Sequence, residues 1–231
     1  MKIIITSIIK YFKDRSTFYV YILFFIILVL KLLLLPFTSH PFDFASYVYI
    51  VRQPIDLGGD IFFFWNKGVS LWLLFWSSYI EFDLLSRIGS LSSIPVELYH
   101  ILFKIPFVLF DILTTVFLYK ITFHLTESRK VGLVASLLWF TNPVVFWITY
   151  VHGQYVPLVT FCVTYFIYLV ITKRYIYSLF PLAIATSIYY FTAILFPLVA
   201  AYPLFVKQWS INIKIKKIVT VAIISLLLLI F

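Results

Sequence analysis

Cysteine, glycine and charge are all scarce in this chain. It has one cysteine, Cys162, six glycines, and only 12% charged residues in 231. One cysteine allows no internal disulfide, and Cys162 lies inside an apolar run. No cysteine–histidine cluster is available for a zinc site. Nor is there a glycine-rich loop of the nucleotide-binding type, because Gly58-Gly59 falls in Asp56-Leu57-Gly58-Gly59-Asp60, a turn pattern. The scarcity of charge goes with 63% hydrophobic residues and a mean hydropathy of +1.06. No soluble domain buries that share of apolar surface, so the chain reads as a polytopic membrane protein. The net charge of +9 would suit nucleic acid only if the basic residues formed one patch. They fall instead in short clusters between apolar runs, which is a topology signal and excludes nucleic acid as a partner.

The expected fold class is all-α, with about seven transmembrane helices and juxtamembrane helices in the first outer loop. Spans are expected over residues 17–37, 99–123, 131–150, 155–172, 175–191 and 192–206, with a last apolar run over 218–231. The first run is too long for a signal peptide, has no small-residue cleavage site and is followed by further spans. Residues 38–98 form the outer loop, with a short helix from Pro41 to Gln53. The stretch 61–80, carrying Trp65, Trp72 and Trp76, reads as a helix lying in the interface. With that stretch uncrossed, the clusters Lys2 to Arg15, Arg129-Lys130, Lys173-Arg174 and Lys207 to Lys217 all fall inside, and every acid except Asp14 and Glu127 falls on the outer side or the outer half of span two. The positive-inside bias supports that count and a cytoplasmic N-terminus. The run 218–231 is too short to cross, so the chain is expected to be a fragment, a single membrane module over 1–231.

Several polar residues interrupt the pattern. Lys31, inside the first span, either snorkels outward or faces a polar cavity. Pro41 suits the first turn of a helix, and Asp43 is favoured there by the helix dipole, so the acid can be explained as a helix start. Lys104 and Asp111, seven residues apart, share one side of span two, where an ion pair between them would be loose. Holding loops to that span and touching substrate are both open roles for them. Asn142-Pro143 reads as a cap or kink in span three. His152 and Gln154 form a polar break before span four, which an ordinary boundary also explains.

The order of these features resembles the GT-C superfamily of integral-membrane glycosyltransferases, in particular the mannosyltransferase-like branches related to the GPI mannosyltransferases. The residues that carry the resemblance are Asp43 with Tyr47, Lys104-Ile105-Pro106 with Asp111, and Asn142-Pro143 through His152-Gly153-Gln154-Tyr155. The resemblance implies transfer of a hexose such as mannose from a polyprenyl- or dolichyl-phosphate donor to a lipid- or protein-linked acceptor at the outer or lumenal face. Asp43 is the matching position for a general base or metal ligand. Arg52, Lys67 and Lys104 are the cations available for the donor phosphate, with Asp111, His152 and Gln154 as further substrate contacts. A divalent metal, Mg or Mn, would be held by Asp43, Asp56 and Asp60. The implied partners are the lipid-linked donor, a lipid or glycan acceptor, and membrane lipids. Two positions depart from the family pattern. Val156 stands where relatives carry an acid, and Tyr189-Tyr190 where many carry a lysine. A non-catalytic or truncated relative acting with a partner is therefore an alternative. A transporter is another, although no internal repeat or paired broken helices favour it.

Overall fold

A computed structural model describes residues 15–38 and 96–197, with scattered positions from 199 to 223. Every described element is helical. Helix α1 spans Arg15–Leu34 and runs into a 3-10 turn, Leu35–Phe37. Its run of Leu, Ile and Phe contains no proline until Pro36, which sits in the first positions of that turn. Most of α1 is exposed, as expected of a helix facing lipid, but Lys31 is buried, as is Leu35 in the turn. Helix α2, Val96–Thr126, is 31 residues long with Pro106 in its interior. At 1.5 Å per residue it measures about 46 Å, longer than the hydrocarbon core of a bilayer.

Helix α2 is the axis of the structure, packing against the 3-10 turn and against the helices over Arg129–Phe140 and Val156–Ile171. Helix α3 is Arg129–Phe140, with Ser128 as its N-cap. It comes close to α2 at Gly132, where a Cβ would stand 2.9 Å from the Tyr119 ring and 3.3 Å from the Tyr119 carbonyl. Helices pack at this distance in membranes only where a small residue allows it. Next comes a four-residue helix, α4, Pro143–Phe146, which passes directly into a π-helical turn, Trp147–His152. Asn142 both caps and breaks here. Its side-chain oxygen accepts from the Val144 amide at 2.8 Å and the Val145 amide at 3.4 Å, and the axis bends by 47° between α3 and the turn. Helices α5, Val156–Ile171, and α6, Tyr175–Ile188, pack on each other, and a second 3-10 stretch covers Tyr190–Leu195. One apolar core joins Phe103 and Phe107 of α2 to Leu158, Val159 and Cys162 of α5 and Ala185 of α6.

Two stretches are long and apolar enough to cross a membrane, Phe18–Phe37 and His100–Thr126, or three if the bent pair Arg129–Phe140 and Pro143–His152 is one span. These make the protein an all-helical membrane protein. The described residues thus hold fewer than the seven spans the sequence suggests. Helices α5 and α6 are 16 and 14 residues long, about 24 and 21 Å against a core of about 30 Å. The outer-loop helices expected over 41–53 and 61–80, and the last run over 218–231, lie outside the residues described without interruption. Hydroxyls within the helices turn back on their own backbone, Thr115 to the Asp111 carbonyl at 2.9 Å and Ser136 to the Gly132 carbonyl at 3.0 Å. Such back-bonding satisfies polar groups where no water is available.

Candidate functional site

Two polar clusters meet where α1, α2 and the π turn come together. The first surrounds Asp111, which is 1% exposed on α2. The Lys31 ammonium stands 3.3 Å from Oδ2. The Tyr150 hydroxyl donates to the same oxygen at 2.8 Å, and the Trp139 indole N–H donates to Oδ1 at 2.9 Å. Residues of α1, α2, α3 and the π turn thus supply one network. Lys31 also lies 3.8 Å from the centre of the Phe140 ring and 4.5 Å from that of Tyr150, within cation–π range. It neither snorkels nor faces an open cavity. Its charge is met inside the protein by a carboxylate and two ring faces.

The second cluster surrounds Lys104, which is wholly buried one helical stretch away on α2. Its ammonium donates to the carbonyls of Leu35 at 3.3 Å and Tyr150 at 2.9 Å, to the Thr38 carbonyl, and to the Thr38 hydroxyl at 3.1 Å. Four acceptors meet three protons, which leaves no donor for a ligand. None of the acceptors is a carboxylate. Besides the Thr38 hydroxyl they are late backbone oxygens of the turn after α1 and of the π turn, the partly negative ends of two helices. Lys104 caps both at once. Gly153 makes this possible: its φ is +71°, and a Cβ there would stand 3.1 Å from the Lys104 Cε. Only glycine occupies that backbone region at no steric cost while leaving room for the lysine stem.

Of the sequence-predicted site residues, the structure brings Lys104, Asp111, His152 and Gln154 to this region. Lys104 and Asp111 do share one side of α2, yet they engage different groups. The Tyr150 carbonyl meets one and its hydroxyl the other. His152 is half-buried with its ring 5.5 Å from that of Trp147, and the Gln154 amide turns back to the Ile148 carbonyl at 3.1 Å. Nearby, the Tyr155 and Tyr189 rings approach to 5.7 Å, with Phe191 stacked beyond at 5.3 Å. Asp43, Arg52, Lys67, Asp56 and Asp60 lie outside the described residues. Lys31, Thr38, Trp139 and Tyr150 belong to the network but not to the site expected from sequence. Lys31 is visible as a charge in an apolar run, while the two aromatics are indistinguishable from interface belts until their partners are known.

Asp111 does not fit a metal ligand. Both its oxygens already accept from donors, one of them cationic, and among the described residues no group of three histidine, cysteine or acidic side chains could hold an ion. A cavity of about 310 Å³ opens between α1, α2 and α3, sharing Phe140 with the Asp111 network. Its walls are aromatic and aliphatic, and the hydroxyls of Thr115 and Ser136 that reach it are already bonded to backbone.

No protein-family model, curated protein or solved structure matches the chain. The likeness to the GT-C glycosyltransferases therefore rests on the residues themselves.

Proposed function

We propose that the protein is a membrane-embedded transferase of GT-C type, moving a hexose from a polyprenyl- or dolichyl-phosphate carrier to a lipid- or protein-linked acceptor at the outer or lumenal face. One observation carries the reading. Of the residues that bear the resemblance, Lys104 binds Thr38, where the chain leading to Asp43 begins, Gly153 packs on the Lys104 stem, and Asp111 is tied to Lys104 through the two ends of Tyr150. Five residues of chain reach at most about 17 Å, which bounds how far an acid at position 43 can lie from Thr38.

In this reading Asp43 takes the proton from the acceptor hydroxyl as the sugar leaves its phosphate. Arg52 and Lys67 meet the phosphate, and His152 and Gln154 meet polar groups of the sugar or acceptor. Lys104 and Asp111 act as scaffold, since their hydrogen-bonding capacity is used within the protein. A seven-span arrangement with the N-terminus inside belongs to the same proposal, supported by the distribution of basic clusters.

A second reading, a non-catalytic relative working with a partner, is favoured by Val156. It opens α5 where relatives carry an acid, and two further polar candidates are already engaged. Hexose transfer from a polyprenyl-phosphate donor by membranes containing the protein separates the two. Product above membranes lacking the protein supports the enzyme, and its absence supports the partner reading.

A further inference from the structure

The π turn sets up an unusual role for Tyr150. In a regular α-helix the Gln154 amide would take the Tyr150 carbonyl. Here the amides of both Gly153 and Gln154 turn back to the Ile148 carbonyl. The Tyr150 carbonyl is thereby released to accept from Lys104 at 2.9 Å and from the Thr38 hydroxyl at 2.7 Å. The same residue sends its hydroxyl to Asp111, and it is 0% exposed. Its backbone therefore holds the end of α1 while its side chain is fixed by the Lys31–Asp111 pair. The Thr38 hydroxyl has a second acceptor within reach, the Leu34 carbonyl at 2.8 Å. The turn can thus keep its local bond when the bond to Tyr150 is lost.

We infer that Tyr150 is a positioning residue: it couples the buried Lys31–Asp111 pair to the Lys104–Thr38 clamp and so fixes where the chain leaves the first span. Because π turns insert one extra residue into a helix and are maintained at a cost in backbone geometry, such a turn persists where its irregular bonding is used. Here it frees one carbonyl for a lysine and a threonine from two other elements. The consequence for chemistry rests on the transferase reading, in which the segment starting at Thr38 carries the base. A misplacement of about 1 Å at a reacting group costs on the order of a hundredfold in rate, so slack at Thr38 would be felt in turnover before binding.

Tyr150→Phe removes the hydroxyl alone and keeps the ring and the backbone carbonyl. Hydrogen–deuterium exchange, followed by mass spectrometry on the full chain in lipid nanodiscs, reads the clamp directly, with Tyr177→Phe, an exposed tyrosine on α6, as control. The expected result is amide exchange at least fivefold faster in peptides covering residues 34–40 for Tyr150→Phe, with peptides of α5 and the Tyr177→Phe protein unchanged. In the transfer assay kcat should fall about tenfold with the donor KM altered less than twofold. Unchanged exchange over residues 34–40 in a folded Tyr150→Phe protein overturns the inference, as does faster exchange spread evenly over all helices. If the wild-type protein transfers no sugar, the transferase reading fails alone and the exchange measurement still decides the role of Tyr150.

Discussion

Lys31 and Asp111, 80 residues apart in sequence, hold their charged atoms 3.3 Å apart with side chains 4% and 0% exposed. The pair joins α1 to α2 where the surrounding protein keeps water from both ions. Trp139 and Tyr150 complete the acceptor's shell, so the bundle around α2 closes on one carboxylate.

Breaking this pair should cost far more than removing it. A buried ion left without its partner destabilises by about 3–5 kcal/mol, whereas replacing both partners by apolar groups is often neutral. Asp111→Asn and Lys31→Met are each expected to lower the thermal midpoint of the purified protein by many degrees. The double variant should recover at least half of the combined loss. Additive losses would mean that the two charges do not depend on each other.

Lys104 is expected to behave as a cap rather than a ligand group. Lys104→Met strands carbonyls at the ends of two helices, with a cost of about 1–3 kcal/mol for each buried oxygen left alone. Gly153→Ala should lose about 1–2 kcal/mol through its left-handed backbone alone, and more through the approach of the new Cβ to the lysine stem. Thermal unfolding of both variants checks this. A Lys104→Met protein as stable as wild type would return the residue to the list of substrate contacts.

The α2–α3 contact makes a simpler prediction. A methyl group at position 132 meets the Tyr119 ring at 2.9 Å and its carbonyl at 3.3 Å, so Gly132→Ala should cost about 1–3 kcal/mol by overpacking. Gly132→Leu should separate the helices and enlarge the loss. Equal stability of the alanine and leucine variants would contradict a contact set by glycine.

Topology is open to a separate check. With Cys162 replaced by alanine, a cysteine at Asn66 should react with a membrane-impermeant maleimide added outside intact cells, because the stretch 61–80 is proposed to lie uncrossed on the outer face. Reaction only after permeabilisation would reverse every later loop in the proposed arrangement.

Much of this was legible in the sequence, for identifiable reasons. The apolar runs announce α1 and α2 because a bilayer demands length and hydropathy, and both can be counted. Asn142-Pro143 announces the bend between α3 and α4 because a cap and a proline act locally. The pairing of Lys31 with Asp111 was not legible. Each appears as an isolated charge in an apolar run, and their meeting depends on how two helices pack. The same holds for Lys104. Its seven-residue spacing from Asp111 correctly puts both on one side of α2, but spacing says nothing of the carbonyls that take its protons. The π turn escapes notice because the polar break at His152 and Gln154 marks where the helix ends, whereas nothing in the sequence says how the bonds of Trp147 to His152 run. Helix α5 differs from the run 155–172 only by its caps, Tyr155 and Thr172, whereas α6 stops at Ile188, short of the run 175–191, because hydropathy continues past Tyr189, where the backbone turns extended.

The central claim is catalytic, and it rests on Asp43. The most direct measurement is hexose transfer from a polyprenyl-phosphate donor in membranes bearing wild-type protein or Asp43→Ala at equal abundance. The account predicts product from the wild type and a loss of at least a hundredfold in the variant, the scale on which a missing general base is felt. Equal product from the two proteins would remove Asp43 from the mechanism, and no product from the wild type would contradict the transferase itself.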